Sequence, residues 1–321
     1  FINIMSSGAQ ATTIVVFGAT GNVGSHVLRG LLDHAGPAAA GLHVRAVTRD
    51  PAVLRESLGE REQRSTLELV KGELSAAGVA ELAPILAGAR RVFLCLPQGL
   101  SAADMVFVSN ALSDACREAG VSHVVRISSA RIDGHCSERG GAAVPTQGPL
   151  GEAHVAGEAY TKERGIGLTS IRPTSFHSNF LAYDLPAIKA DSSFASPLGS
   201  AAAVNWVACR DIAAVAVRAL LDSAHDGRVL EVTGPPSSTL SAAQMRALLE
   251  AKCARPVRYA EVPLPPVPEL QGLWTFLRAG GFDMSTSTVL DVTGTAPQDF
   301  SEFLDTLDLG PSPALKARLG H

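Results

Sequence analysis

Seven consecutive residues carry the strongest chemical signal in the chain: Gly18-Ala19-Thr20-Gly21-Asn22-Val23-Gly24. They follow the apolar, β-branched run Thr13-Ile14-Val15-Val16-Phe17. They precede a stretch in which Val23, Val27, Leu28, Leu31 and Leu32 recur at helical spacing. Three glycines between a buried strand and a helix make a phosphate cradle. Gly18 permits the tight turn, Gly21 lets the backbone approach a pyrophosphate, and Gly24 lets helix and strand pack closely. The phosphate charge then meets free N–H groups and the positive end of the helix dipole. A tight strand–helix turn without a ligand is the alternative.

The end of the next apolar run selects the dinucleotide. A carboxylate there, about 20 residues past the glycines, accepts the ribose 2′-hydroxyl of NAD. This chain has Thr48-Arg49-Asp50-Pro51. Arg49 offers a guanidinium fork to the 2′-phosphate of NADP, and Thr48 offers a hydroxyl. NADP(H) is therefore the expected cofactor. Asp50 as a ribose acceptor, and Arg49 as a solvated surface residue, are the competing assignments. Two later strands end in Leu96-Pro97-Gln98 and in Ser128-Ser129. Leu96, Pro97, Gln98 and Ser128 are expected along the nicotinamide half, and Ser129 at a substrate carbonyl. A turn cap is the alternative role for the serines.

Further apolar runs lie at His43–Val47, Leu67–Val70, Arg91–Leu96, Val124–Ile127, Leu168–Ile171 and Val229–Val232, and helical stretches such as Asp104–Ala119 separate them. That alternation implies βαβ units and a parallel sheet buried on both faces. Ligands of such sheets bind beyond the carboxyl ends of the strands, where the residues above fall. The expected fold is α/β, a Rossmann-type doubly wound parallel sheet with a small C-terminal α+β substrate lobe. Residues 12–175 are expected to form the NAD(P)-binding domain, and the strand at 229–232 to return to it. Residues 176–224 and 234–308 form the lobe, and 1–11 and 309–321 are tails. Pro- and Gly-rich stretches at 186–200, 234–236 and 263–268 read as loops of the lobe. Ala130–Gly151 lacks periodicity and reads as a mobile loop beside the site. Phe176, Asn179 and Tyr183 follow the sixth strand and are expected to bind substrate. Phe180, Trp206 and Trp274 are assigned to pocket or core. Asp211 opens an amphipathic helix and is read as structural.

Composition narrows the function classes. The 321 residues are 46 % hydrophobic and 18 % charged, enough for a sizeable core and too little charge for a disordered chain. A net charge of −4 leaves no basic footprint for nucleic acid. No apolar run reaches the roughly 18 residues of a membrane span. The cysteines at 95, 116, 136, 209 and 253 are odd in number and form no CxxC. A disulfide framework or structural metal is not expected, and a cytoplasmic setting is. Phe1 to Ile4 precede Met5 and read as an extension ahead of a start at Met5, without the features of a signal peptide. A monomer and a dimer are both compatible with the sequence.

GATGNVG, TRDP, VVRISSA, HVAGEAYTKERGIGLTSIRPTSFHSNF, NWVACRDIAAVAVRALL, VTGPPSSTLS and TGTAPQDFSEF together resemble the NmrA-like family of atypical short-chain dehydrogenases. The match runs from about Thr12 to Leu307. Within the family the chain is similar to festuclavine and agroclavine dehydrogenases, type 2 quinone oxidoreductases, and azo or triphenylmethane dye reductases. The resemblance implies one Rossmann domain with a small C-terminal lobe. It also implies dinucleotide contacts at Gly18, Thr20, Asn22, Val23, Arg49 and Pro97.

One departure from ordinary short-chain dehydrogenases bears on mechanism. They protonate a ketone with Tyr-x-x-x-Lys. Here that place holds His154-Val155-Ala156-Gly157-Glu158, and His-x-x-x-Glu is common in NmrA-like proteins. The i, i+4 spacing puts His154 and Glu158 on one helix face. Tyr160 and Arg164 have the spacing of a Tyr-based pair, but Tyr160 lies roughly 240° around the helix from His154. His154 is therefore assigned to catalysis, with Glu158 positioning it or the loop above. A plain helix-surface pair is the alternative.

These residues lead to an NADPH-dependent reductase that passes hydride to a small apolar acceptor of conjugated, iminium or quinone type, in secondary metabolism. The partner is a small molecule, with neither nucleic acid nor membrane involved. Two other readings stand beside it: an NAD(P)-binding redox sensor without catalysis, and a non-redox biosynthetic enzyme on the same fold.

Overall fold

The computed structural model describes residues 12–34, 41–133 and 144–310. Phe1 to Met5, Cys136, positions 134–143 of the expected loop and the tail beyond 310 lie outside the described residues.

Strands and helices alternate from the start: β1 (Thr12–Val16), α1 (Gly24–His34), β2 (Leu42–Thr48), α2 (Pro51–Leu58), β3 (Leu67–Lys71), α3 (Leu82–Leu86), β4 (Ala89–Leu94), α4 (Ala102–Glu118), β5 (His123–Ile127), α5 (Gly148–Glu163) and β6 (Gly167–Pro173). β1 pairs in parallel with β2 and β4, β2 with β3, β4 with β5, and β5 with β6. Val15, Val16, Val92, Phe93 and Val125 are wholly inaccessible, as two-sided cover of a parallel sheet demands. Helix α1 turns Val27, Leu28, Leu31 and Leu32 inward along one stripe. Helix α4 is started by Ser101, whose Oγ accepts the Asp104 N–H at 3.1 Å.

After β6 come β7 (Ser175–Phe176), α6 (His177–Tyr183), α7 (Leu185–Asp191), β8 (Ser193–Ser196), β9 (Ala203–Val207), α8 (Cys209–Leu221), β10 (Val229–Val232), β11 (Thr239–Ser241), α9 (Ala242–Cys253), β12 (Arg258–Glu261), α10 (Pro268–Arg278), α11 (Thr288–Thr293) and α12 (Phe300–Asp305). The large sheet has the order β10-β6-β5-β4-β1-β2-β3, and two small sheets have the orders β11-β9-β7 and β12-β8. This is an α/β, Rossmann-type architecture.

The chain divides into two compact units. One comprises Phe1–Ser128, Ala153–Arg172 and Ile212–Leu230. It holds the glycine loop, and in it α8 rests Val217 against Gly30 of α1, 3.0 Å from where a Cβ would stand. The other comprises Ser129–Glu152, Pro173–Asp211 and Glu231–His321. Its core gathers Phe180, Ile188, Leu249, Phe300 and Leu304. Trp206 lies 5.1 Å from Phe300. Trp274 packs on a second cluster around Phe276 and Phe282.

Residues 186–200, read as loop from their composition, instead contain most of α7 and all of β8. Pro186 stands in the first turn of α7, where a missing N–H removes no intrahelical bond. Helix α5 begins at Gly148, inside the stretch read as loop, and the helix read as opening at Asp211 begins at Cys209.

Candidate active site

The glycine loop owes its shape to backbone contact. Gly18 has φ +76°, a left-handed conformation that favours glycine. Its carbonyl accepts the Gly21 N–H at 2.9 Å, closing the turn. A Cβ at Gly24 would stand 2.0 Å from that same carbonyl oxygen, so helix and strand approach only because Gly24 has none. Thr20, Gly21 and Asn22 are exposed, whereas Val23 is buried and offers a ligand its backbone alone. In the first turn of α1 the N–H groups of Ser25, His26 and Val27 donate to the Gly21 and Val23 carbonyls at 3.0 Å, which ties the loop to the helix start. A loop with an exposed crest and a pinched base, closed against the start of a helix, fits a pyrophosphate.

At the end of β2, Thr48 is buried and its Oγ1 accepts the Asp50 N–H at 3.2 Å. That hydroxyl shapes the turn that presents Arg49. Asp50 Oδ1 accepts the N–H groups of Ala52 at 2.9 Å and Val53 at 3.3 Å, capping α2. Arg49 is exposed, with no ion pair or hydrogen bond among the described residues.

Past β4, Leu96 packs partly on the core, while Pro97 and Gln98 are exposed. Past β5, Ser128 is buried and its Oγ has no partner among the described residues. Ser129 differs: its Oγ donates to Gln147 Oε1 at 2.8 Å, and Gln147 Nε2 donates to the Ala130 carbonyl at 2.6 Å. Ser129 thus belongs to a local clamp, and Ser128 keeps the uncommitted hydroxyl. Gln147 escaped the sequence reading because it sits in an aperiodic stretch.

Helix α5 turns His154, Gly157 and Glu158 to one side. Glu158 does not orient His154. It is locked to Arg172 of β6, whose Nη2 donates to Oε2 at 2.7 Å and Nε to Oε1 at 3.3 Å. The side chains are 5 % and 8 % exposed, a buried pair rather than the expected alternative of a surface one. His154 Nδ1 is buried without a partner among the described residues. Burial, then the positive charges of Arg126 and Arg172, push its pKa down to about 3. Its imidazole is therefore neutral at neutral pH. Arg126 of β5 is completely buried, which lowers its pKa to about 10, and its Nη1 donates to Ser109 Oγ at 3.0 Å. Tyr160 looks elsewhere: its hydroxyl donates to Asp114 of α4 at 3.1 Å, and the Arg164 guanidinium stacks 4.3 Å from its ring centre. Neither buried arginine was singled out from sequence, since strand arginines usually mark exposed edges.

In the second unit, Phe176 and Asn179 are half-buried and Tyr183 is 66 % exposed. Asn179 Nδ2 donates to Ser175 Oγ at 3.4 Å. Burial raises the pKa of the neighbouring Asp184 carboxyl to about 7. His177 is buried with its ring 4.8 Å from Phe303 and 5.1 Å from Phe300, and burial lowers its pKa to about 4.

The sequence model of the NmrA-like family matches residues 10–276. The chain belongs to the NmrA-like family. Its relatives include an NAD(P)H azoreductase of Xenophilus azovorans, 34 % identical over 78 % of this chain and 77 % of that one. A (4-alkanoyl-5-oxo-2,5-dihydrofuran-3-yl)methyl phosphate reductase of Streptomyces griseus is 31 % identical, again over 78 % of this chain and 77 % of its own. This NmrA-like chain is an oxidoreductase. Among solved structures, the NADPH-dependent quinone oxidoreductase of Escherichia coli in complex with NADPH superposes with a TM-score of 0.72 at 21 % identity, covering 92 % of this chain and 99 % of that one. The Citrobacter sp. triphenylmethane reductase complexed with NADP(H) gives 0.72 at 18 % identity, with the same coverage. At such identities these neighbours establish the fold alone. No helix among the described residues is long and apolar enough to cross a membrane.

Proposed function

We propose that this protein is an NADPH-dependent reductase passing hydride to a small, apolar, conjugated acceptor. The observation that carries the cofactor choice is the division of labour at the end of β2. Asp50 holds two amide protons as a helix cap, so a ribose hydroxyl would compete with that cap. Arg49, one residue earlier, has its guanidinium free among the described residues. The pair suits a 2′-phosphate better than a 2′-hydroxyl. Gly18, Thr20, Gly21, Asn22 and Val23 would hold the pyrophosphate, and Leu96, Pro97, Gln98 and Ser128 the nicotinamide half. Phe176, Asn179 and Tyr183 are assigned to the acceptor.

The nicotinamide supplies hydride when bound. The protein's own groups position the acceptor and keep water away. His154, neutral and without a carboxylate behind it, offers a hydrogen bond and no acidic proton. Ser128 Oγ offers a second uncommitted polar group. Acceptors that take hydride first and collect a proton later from water suit such a site. Azo groups, quinones and conjugated lactones are of that kind, and the names of the two relatives above support the reading.

The test is calorimetric titration with NADPH and NADH, followed by NADPH oxidation with an azo dye, a naphthoquinone and an unsaturated lactone. NADPH should bind at least about tenfold tighter than NADH, the size of a charge-assisted contact. Equal affinities would remove the cofactor assignment, and no oxidation with any of the three would remove the acceptor class.

A further inference from the structure

Arg126 is the penultimate residue of β5, and none of it is accessible. Only its Nη1 has a partner, Ser109 Oγ; its Nε and Nη2 meet no acceptor among the described residues. Glu158, the carboxylate whose field reaches it, is already held by Arg172 through two hydrogen bonds. On α5, Gly157 lies flat on the guanidinium: a Cβ there would stand 2.8 Å from both Nη1 and Nη2. His154, one turn earlier on the same helix, is neutral at neutral pH. Both guanidiniums feel the one Glu158 carboxylate in this buried layer, Arg172 alone holds it by hydrogen bonds, and among the described residues Arg126 has no ion pair of its own. Arginine does not shed its proton, and an unpaired buried charge is costly to folding. The charge sits two residues before Ser128, toward the strand ends beyond which ligands of such sheets bind.

We propose that Arg126 is a specificity-determining residue whose unpaired positive charge favours acceptors that are neutral before hydride arrives and anionic just after, and disfavours acceptors that are already cationic. This rests on the reductase reading above and names the charge class of its acceptor. A bound dihydronicotinamide would supply the hydride, and a neutral quinone would receive the hydrogen together with both electrons. The product is a hydroquinone monoanion, which water then protonates. With a cationic triphenylmethane dye, the same hydride forms a C–H bond at the central carbon and gives a neutral leuco compound. The first reaction builds negative charge near Arg126; the second starts with positive charge beside it. A discrimination of about tenfold is the size expected of one unit charge acting through partly polar protein.

The experiment compares kcat/KM for a neutral naphthoquinone and a cationic triphenylmethane dye, with NADPH, in the wild type, Arg126→Met and Arg126→Lys. The wild type should prefer the quinone. In Arg126→Met the quinone-to-dye ratio should fall about tenfold or more, and Arg126→Lys should hold it within about threefold of wild type. A purely structural role would lower both rates together and leave the ratio alone, which overturns the proposal. A wild type that prefers the cationic dye also overturns it, and that arm stands even if Arg126→Met fails to fold. Failure of the reductase reading is distinct: neither acceptor would then be reduced by any form of the protein, and the proposal falls with it.

Discussion

Arg172 Nη2 lies 2.7 Å from Glu158 Oε2, in a pair that joins β6 to α5 out of reach of solvent. Removing one partner of such a pair leaves a buried charge uncompensated and costs about 3–5 kcal/mol. Glu158→Gln should therefore lower the thermal midpoint sharply, while leaving NADPH affinity at temperatures below unfolding close to wild type. A variant that keeps its stability and loses only turnover would make Glu158 a chemical participant instead.

Arg49→Ala should weaken NADPH by about 1–3 kcal/mol, the range of a lost charge-assisted contact, and leave NADH nearly unchanged. Equal losses for both nucleotides, measured by calorimetry, would show that Arg49 does not read the 2′-phosphate. Asp50→Asn should act on stability more than on cofactor choice, because its Oδ1 caps α2.

Gly24→Ala and Gly21→Val should separate two functions of one loop. The first puts a methyl group 2.0 Å from the Gly18 carbonyl oxygen and should destabilise the fold itself. The second adds bulk on an exposed crest and should abolish dinucleotide binding in a folded protein. Unchanged NADPH affinity in folded Gly21→Val would place the pyrophosphate elsewhere.

Much of this was legible in the sequence, for physical reasons. The strand–glycine–helix junction is specified by neighbours along the chain, since turn, close approach and helix start all fall within seven residues. The strands were found because two-sided burial writes itself as apolar β-branched runs. The partners of Glu158 and Ser129 were not legible. Arg172 and Arg126 come from two different strands and meet α5 only after the sheet forms. Gln147 reaches Ser129 across eighteen positions with no periodicity to mark it. Composition also misread 186–200, because Pro186 looks the same whether it breaks a helix or begins one.

Tyr160→Phe should be nearly silent. The Tyr160 hydroxyl donates to Asp114 on α4 at 3.1 Å, away from His154 and Arg126. Were it the proton donor, its loss would cost about 10²–10⁴-fold in rate. A dead Tyr160→Phe alongside an active His154→Ala would reverse the orientation of α5 relative to the reaction.

Acid should destabilise the fold through its buried histidines. His154 has its pKa pushed down to about 3 by burial and by Arg126 and Arg172, from an ordinary value of 6.5. His177 is pushed down to about 4, chiefly by burial. Between those values and 6.5 the unfolded chain holds protons on these rings that the folded protein refuses. Stability therefore falls as pH drops below 6.5, and it is fully present above that value. Asp184 works the other way: burial raises its carboxyl from 3.8 to about 7, so its contribution is present below 3.8 and is lost as pH rises toward 7. Thermal midpoints measured from pH 4 to pH 8 should separate the three. His154→Gln should flatten the acid limb between pH 6.5 and 4. Asp184→Asn should raise the midpoint at pH 8 and change it little at pH 4. The rate on a quinone acceptor should show no inflection near pH 6.5 in the folded protein, because no imidazolium is present there to donate. An inflection at that pH, absent in His154→Gln, would show that His154 titrates normally and serves as the acid after all.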